Sequence, residues 1–145
     1  LLFAVSRRRN IADVVLPALK EGKIVISDRS EGSTYAYQHY QFGLPLKKVQ
    51  TINDFATDGI KPDLTVLLDV DIETAHARML KAKGVEVNHF DLFDRDAWLK
   101  RSLGYRQLAR QNRKSWIIVD ANKEQEVVFG QLIDKLAQKG VFSNE

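Results

Sequence analysis

Apolar positions over the first twenty residues recur with a helical period. Positions 2, 3 and 5, then 11, 14, 15, 18 and 19, follow a repeat near 3.6 residues and predict a helix over residues 1–21. Asn10 or Pro17 kinks or interrupts it, because proline lacks a donor and clashes one turn back. Gly22 is the expected stop. The run Ile24-Val25-Ile26 is too short for a helix and rich in β-branched residues, so it predicts a buried strand ending at Ser27. Helical patterns follow from Ser33 to about Phe42, broken by Gly43-Leu44-Pro45, and from about Leu46 to Ala56. Leu64-Thr65-Val66-Leu67-Leu68 predicts a second strand, ending at Asp69-Val70-Asp71. Ile72–Lys83 reads as a helix capped by Asp71. Residues 84–93 show no period and read as a mobile loop. Arg95–Arg113 is helical with 98, 99, 103, 105 and 108 inward, and Trp116–Val119 is a third strand. Glu124–Lys139 is a last helix with 128, 129, 132, 133 and 136 inward.

Strands alternating with helices predict an α/β fold, a parallel sheet covered by helices on both faces. Three strands make a narrow sheet, and helices of these lengths would leave apolar surface uncovered over it. The 145 residues suit a single domain, 44% hydrophobic and 28% charged. The absence of cysteine excludes disulfides, thiolate metal sites and a cysteine nucleophile, and fits a reducing compartment. No apolar run approaches membrane-spanning length and no signal peptide is visible, which predicts no membrane partner. A net charge of +3 is too mild to argue for nucleic acid but suits a small anionic ligand. The chain opens Leu1-Leu2-Phe3, without methionine and inside a helical pattern. The expectation is a piece of a longer protein.

Several constellations carry chemistry. Asp28-Arg29 follows the first predicted strand, where ligands bind in parallel α/β sheets. The guanidinium offers a two-pronged grip on phosphate oxygens, and the carboxylate can serve Mg²⁺. The same pair would equally serve as an ion pair capping a strand end. Ser33, Thr34, Tyr37 and Gln38 share a helix face suited to reading a small polar molecule. Phe3 and Arg7 stand one turn apart, so a ring could stack on a base while a guanidinium bonds its carbonyl. Taken alone, Phe3 reads as core and Arg7 as surface. Arg8 and Arg9 read as surface charge. Asp69 sits at a sheet edge, where a metal or phosphate site is one possibility. Glu73 and Arg78 read as a helix-surface carboxylate and a loop-anchoring cation. His76 and His89 lack metal-ligand spacing, so no zinc is expected, and no Gly-x-Ser-x-Gly supports a hydrolase. The phosphate-cradling pattern G-x-x-x-x-G-K-[ST] occurs nowhere in the 145 residues.

In series these segments resemble thymidylate kinase, the nucleoside monophosphate kinase that phosphorylates dTMP with ATP. Leu2-Phe3-Ala4-Val5-Ser6-Arg7 is similar to the family's L-F-A-A-D-R. Pro17-Ala18-Leu19, Gly22 and Val25-Ile26-Ser27-Asp28-Arg29 match its P-A-L-x-x-G-x-x-V-I-x-D-R. Ser33-Thr34, Ala36, Tyr37 and Gln38 resemble S-[ST]-x-A-Y-Q. Pro62-Asp63-Leu64-Thr65, Leu68-Asp69-Val70, Glu73, Ala75 and Arg78 resemble P-D-L-T…L-D-V-x-x-E-x-A…R. Trp98, Arg101 and Tyr105 fall on an aromatic, an Arg and a Tyr of the family, and Asp120-Ala121 resembles its D-A turn.

The resemblance implies a phosphate-loop nucleoside monophosphate kinase fold with its first two strands absent from this chain, and a lid near 84–93. It implies that Phe3 stacks on thymine, Arg7 bonds a base carbonyl, Thr34 reads the base edge and Tyr37 lies against the deoxyribose, with Ser33 and Gln38 on the same substrate face. It places Arg29 on the dTMP phosphate and Asp28 in the Mg²⁺ network. Arg78, Asp120, Ala121 and Asn122 fall on the ATP side, the turn facing adenine. ATP and Mg²⁺ as cofactors, a cytoplasmic location and a homodimer come with it.

The chain departs from the family at Ser6, at Ser30 and at Asn88-His89 in the lid, and it lacks the phosphate loop. The 145 residues alone are therefore expected to be poorly soluble or partly unfolded, and inactive. A deoxynucleoside kinase, whose Arg-Ser after an acid resembles Asp28-Arg29-Ser30, and a non-catalytic nucleotide-binding remnant are the other readings.

Overall fold

The structure is a computed structural model that describes residues 2–81 and 94–141. The loop predicted at 84–93, with Asn88 and His89, lies outside the described residues. The chain divides into two compact units, Leu1–Asp63 and Leu64–Glu145.

The described part of the first unit is helical. Helix α1 (Leu2–Asn10) continues through a π-helical stretch, Ile11–Val15, into α2 (Leu16–Lys20). The Leu16 amide reaches back five residues to the Ile11 carbonyl. Pro17 lies just beyond this wider winding, at the start of α2. Proline cannot donate, and its ring crowds the carbonyl four residues back, so the turn before it opens rather than breaks. Gly22 ends the helix as its sequence predicts. Its φ of +74° lets the Lys23 amide close back on the Ala18 carbonyl at 3.0 Å. Helix α3 (Glu31–Thr34) runs on into a second π-helical stretch, Tyr35–Gln41, so this helix starts two residues before the expected Ser33. Helix α4 (Leu46–Thr57) turns Val49, Asn53, Ala56 and Thr57 inward.

The strand expected at Ile24–Ser27 does not form. The segment is irregular, and Ile24 and Ile26 are 85% and 93% exposed. β-branched residues favour an extended backbone, but a strand exists only against a neighbour that takes up its N–H and C=O groups. None of the described residues of this unit is a strand.

The second unit holds β1 (Thr65–Asp69) and β2 (Trp116–Asp120), paired in parallel from Thr65↔Trp116 to Asp69↔Asp120. Helix α5 (Ile72–Lys81) follows β1, α6 (Arg95–Gln111) precedes β2, and α7 (Gln125–Gln138) follows it. Helix α6 packs on both strands and α7 on β2. By the register, Val66 and Leu68 share a sheet face with Ile117 and Val119. The β2 pair is buried, whereas Leu68 is 53% exposed, so cover on that face ends at β2. The observed sheet is thus two strands, helix-covered in part. Several expected inward positions miss it: Leu99, Leu103, Phe129 and Ile133 are exposed, and Ala97, Gly104 and Ala109 form the buried seam of α6. Two strands present too little surface for every apolar position of the helices beside them.

The caps follow the sequence. Asp94 accepts from the Ala97 amide at 3.1 Å at the start of α6. Asp71 accepts from the Thr74 amide at 2.7 Å at the start of α5. That backbone bond from Thr74 holds the Asp71 carboxyl below the usual carboxylate range. A carboxylate whose folded pKa is depressed lends stability above its unfolded pKa and loses it as the pH falls through the folded value. Asp71→Ala is therefore expected to lower the melting temperature at neutral pH. The gap to the parent should close as the pH is taken below about 4; a gap that stays constant down to pH 2 would remove the carboxylate from the effect.

Candidate functional site

In the first unit a guanidinium gathers three segments. Arg7, on α1, donates through Nη1 to Asn53 Oδ1 at 2.6 Å and through Nη2 to Thr34 Oγ1 at 2.7 Å. A longer approach of Nη2 to the Ser30 carbonyl, 3.4 Å, adds a third acceptor. Asn53 is fully buried on α4, and its Nδ2 faces the Glu31 carbonyl at 3.5 Å. Loss of surrounding water pulls the Arg7 pKa below its ordinary value, and Glu31 and Tyr35 pull it back. Burial pushes the Glu31 carboxyl up, opposed by Lys61 and Arg7, and Asp54 pushes it further. Burial also raises the Tyr35 hydroxyl, with the Asn53 side chain opposing.

Phe3 stands one turn before Arg7 and is 73% exposed, so it is not core. An open ring beside a held guanidinium forms a surface for a flat, carbonyl-bearing group. The Thr34 hydroxyl accepts from Arg7, which leaves its own proton to be donated elsewhere. Ser33, Tyr37 and Gln38 are half-buried on the same helix as Thr34. The π winding from Tyr35 brings residues five apart onto one turn, a local geometry met often at binding sites. Arg8 and Arg9 are surface charges, as their sequence suggests, paired with Asp58 at 2.9 Å and Asp13 at 3.2 Å.

Asp28 and Arg29 are exposed in the bend after the irregular segment, and no ion pair joins them. Arg29 has φ +64°, a left-handed backbone that a branched or long side chain adopts at a cost of about 1–2 kcal/mol. The Ser27 hydroxyl donates to its carbonyl at 3.0 Å. Among the described residues no group of three or more His, Asp or Glu side chains is arranged for a metal. Asp28 offers one open carboxylate, which suits Mg²⁺ that keeps its waters and is completed by phosphate oxygens.

In the second unit Arg78 spans two carbonyls. Its Nη1 donates to Ala121 at 2.6 Å and its Nη2 to Lys123 at 2.7 Å. The Asp120-Ala121-Asn122 turn is fixed at further points. The Ala121 amide donates to the Asp69 carbonyl at 2.7 Å, and the Asp71 amide to Asn122 Oδ1 at 2.9 Å. Asn122 in turn donates to Asp120 Oδ1. Arg78 is thus the loop-anchoring cation its position suggests. Asp69, read as a possible metal or phosphate position, instead takes the Arg106 Nε–H between its two oxygens, each at 2.9 Å. Glu73 stays at the surface, 3.5 Å from Arg95.

Glu31, Tyr35 and Asn53, which surround Arg7, were not singled out by the sequence. The available signal was in α4, where an amide occupies an inward position of a register otherwise set by Val49 and Ala56.

The family profile described as Thymidylate kinase matches residues 1–132. A curated relative, the "Thymidylate kinase" of Clostridium novyi (strain NT), is 40% identical over 132 residues. The match covers 91% of this chain and 64% of that relative, so the chain spans less than two thirds of the relative's length.

The Arg78 anchor generates a prediction independent of any ligand. Arg78→Ala leaves the Ala121 and Lys123 carbonyls without their donor. Amide exchange at Ala121–Lys123 should accelerate well above that of the β2 strand; unchanged exchange there would show that the other bonds suffice.

Proposed function

The chain belongs to the thymidylate kinase family, and on that premise we propose that it forms the nucleotide-accepting part of an enzyme that transfers the ATP γ-phosphoryl group to dTMP, giving dTDP for dTTP synthesis. The observation that carries the proposal is the Phe3–Arg7–Thr34 surface: an open ring one turn from a guanidinium held by Asn53 and Thr34. Thymine presents a face for stacking and two carbonyl oxygens. Phe3 supplies the ring, and Arg7 and the Thr34 hydroxyl supply donors. Cytosine, with an amine in place of one carbonyl, would meet a donor with a donor. Tyr37 packs against the deoxyribose, and Ser33 and Gln38 line the same face.

Arg29 grips the dTMP phosphate, and Asp28 serves the hydrated Mg²⁺. That ion, when bound, would neutralise charge spread over the phosphates; the chain's residues would hold the acceptor oxygen in line. Such chemistry asks for positioning and electrostatics rather than a covalent intermediate. The turn at Asp120-Ala121-Asn122, braced by Arg78, faces adenine. A homodimer in the cytoplasm completes the reading. No described helix is long and apolar enough to cross a membrane.

The 145 residues contain no phosphate-loop pattern. The decisive assay is ATP-dependent formation of dTDP from dTMP, run with the chain alone and with a phosphate-loop segment supplied in the same or a separate polypeptide. Turnover of dTMP in the second case supports the proposal. Turnover of thymidine but not dTMP would transfer the chain to the deoxynucleoside kinases, and turnover of neither would make it a binding remnant.

Two substitutions test the surface. Phe3→Ala should weaken dTMP binding by about 5- to 150-fold, since base stacking is worth roughly 1–3 kcal/mol, with the melting temperature unchanged because the ring is exposed. Equal loss of dTMP affinity and of stability would return Phe3 to a packing role. Arg29→Gly relaxes the left-handed backbone, so stability should hold or rise slightly. The preference for dTMP over thymidine, which reports the phosphate grip, should fall. A preference that survives the glycine removes Arg29 from the phosphate.

A further inference from the structure

The buried carboxamide behind Arg7 has so far been given only the hydrogen bond that holds the guanidinium. Asn53 lies on the inward face of α4, with Val49 one turn before it and Ala56 three residues after it. It is fully buried, and a buried amide is costly unless its polar atoms are used. Its Oδ1 receives the shortest bond of the cluster, 2.6 Å from Arg7 Nη1. Its Nδ2 faces the Glu31 carbonyl. The opposite guanidinium nitrogen is bonded to Thr34. Acceptors on two sides fix the plane of the guanidinium, and an exposed ring stands one turn away on the same helix.

The chemical choice at position 53 matters. A carboxylate there would grip Arg7 as firmly, but it would cancel the charge. A leucine would pack as well, but it would leave the guanidinium unheld. An amide oxygen accepts without carrying charge. We propose that Asn53 is a positioning residue for Arg7, holding the guanidinium plane from behind without neutralising it, so that a fully charged donor faces a carbonyl of the bound base. This rests on the reading of the Phe3–Arg7–Thr34 surface as the thymine site. It gives the residue that holds Arg7 a part in selectivity, and it makes base preference depend on an atom the base never touches.

Thr57 supplies a control on the same helix face. It is 2% exposed, one turn after Asn53, and its hydroxyl is buried without a partner. Thr57→Val therefore changes the packing of α4 without touching the Arg7 bonds.

The experiment compares affinity for dTMP with affinity for 2-deoxyribose 5-phosphate, which has the sugar and phosphate but no base. Calorimetric titration, with the phosphate-loop segment supplied as in the turnover assay, gives the ratio for the parent, Asn53→Asp, Asn53→Ser and Thr57→Val, and circular dichroism melting reports folding. The parent should prefer dTMP. In Asn53→Asp the charge is cancelled, and in Asn53→Ser the acceptor is withdrawn. Each should reduce the preference by about tenfold, the scale of one hydrogen bond to a charged group, with sugar-phosphate affinity intact. Thr57→Val should keep the parent's ratio. Loss of preference in a folded Asn53 variant, with the control unchanged, supports the proposal. A parent-like ratio in a folded Asn53 variant overturns it, as does an equal drop in Thr57→Val, or failure of both Asn53 variants to fold. A parent without preference for dTMP would instead defeat the thymine-site reading itself, and the role of Asn53 with it.

Discussion

A half-buried positive charge organises the first unit. Withdrawing a guanidinium from water is unfavourable unless acceptors replace the lost hydration. Arg7 finds them on Asn53 of α4 and on Thr34 and Ser30, at the two ends of α3. The surrounding core is small: among the described residues of the unit, the buried apolar ones are Ile11, Ala36, Val49 and Ala56. With so little apolar volume, the mutual placement of α1, α3 and α4 depends on polar bonds whose geometry is directional. That is a less forgiving scaffold than a packed core, and it ties the shape of the unit to one guanidinium.

The second unit meets the opposite problem, of too many like charges at one place. The parallel register sets Asp69 beside Asp120 at the same end of the sheet. Directly opposed carboxylates are destabilising unless each has its own partner. Arg106 takes Asp69, and Asn122 donates twice to Asp120. Arg78 then closes the turn that follows. The end of the sheet is thereby rigid through side-chain chemistry, although two strands alone would give a weak ladder.

What could be read from the residues divides along the range of the interactions involved. Local signals were faithful. Gly22, Asp71 and the two strands at 65–69 and 116–120 appear where pattern and capping chemistry place them. Ile24-Val25-Ile26 misled because strand propensity is local and strand pairing is not. Phe129 and Leu103 misled because amphipathic period tells which side of a helix is apolar, not how much surface stands opposite. Helical spacing singled out the Phe3/Arg7 pair and the 33/34/37/38 face, and the Arg7–Thr34 bond joins the two groups. Asn53 was not singled out, since nothing within α4 announces an arginine 46 residues earlier. The π winding was foreshadowed only at Pro17. Nothing in Tyr35–Gln41 marks the second stretch.

That second stretch has a consequence for how the sequence can change. In an α-helix each residue turns the chain by about 100°, and a π segment holds one residue more per closed ring than an α segment does. Removing a single codon anywhere between Tyr35 and Gln41 would let the helix rewind to the tighter form without breaking it. The turns on either side would then keep nearly the relation they have now, because a π turn absorbs its extra residue by turning less per residue. A residue taken from the α-helical turns of α4 meets no such slack, and its loss would swing one end of that helix against the other by about 100°. Length is therefore less constrained between Tyr35 and Gln41 than within α4: the widened turn is the place where this part of the chain can lose one residue and keep its two ends in register.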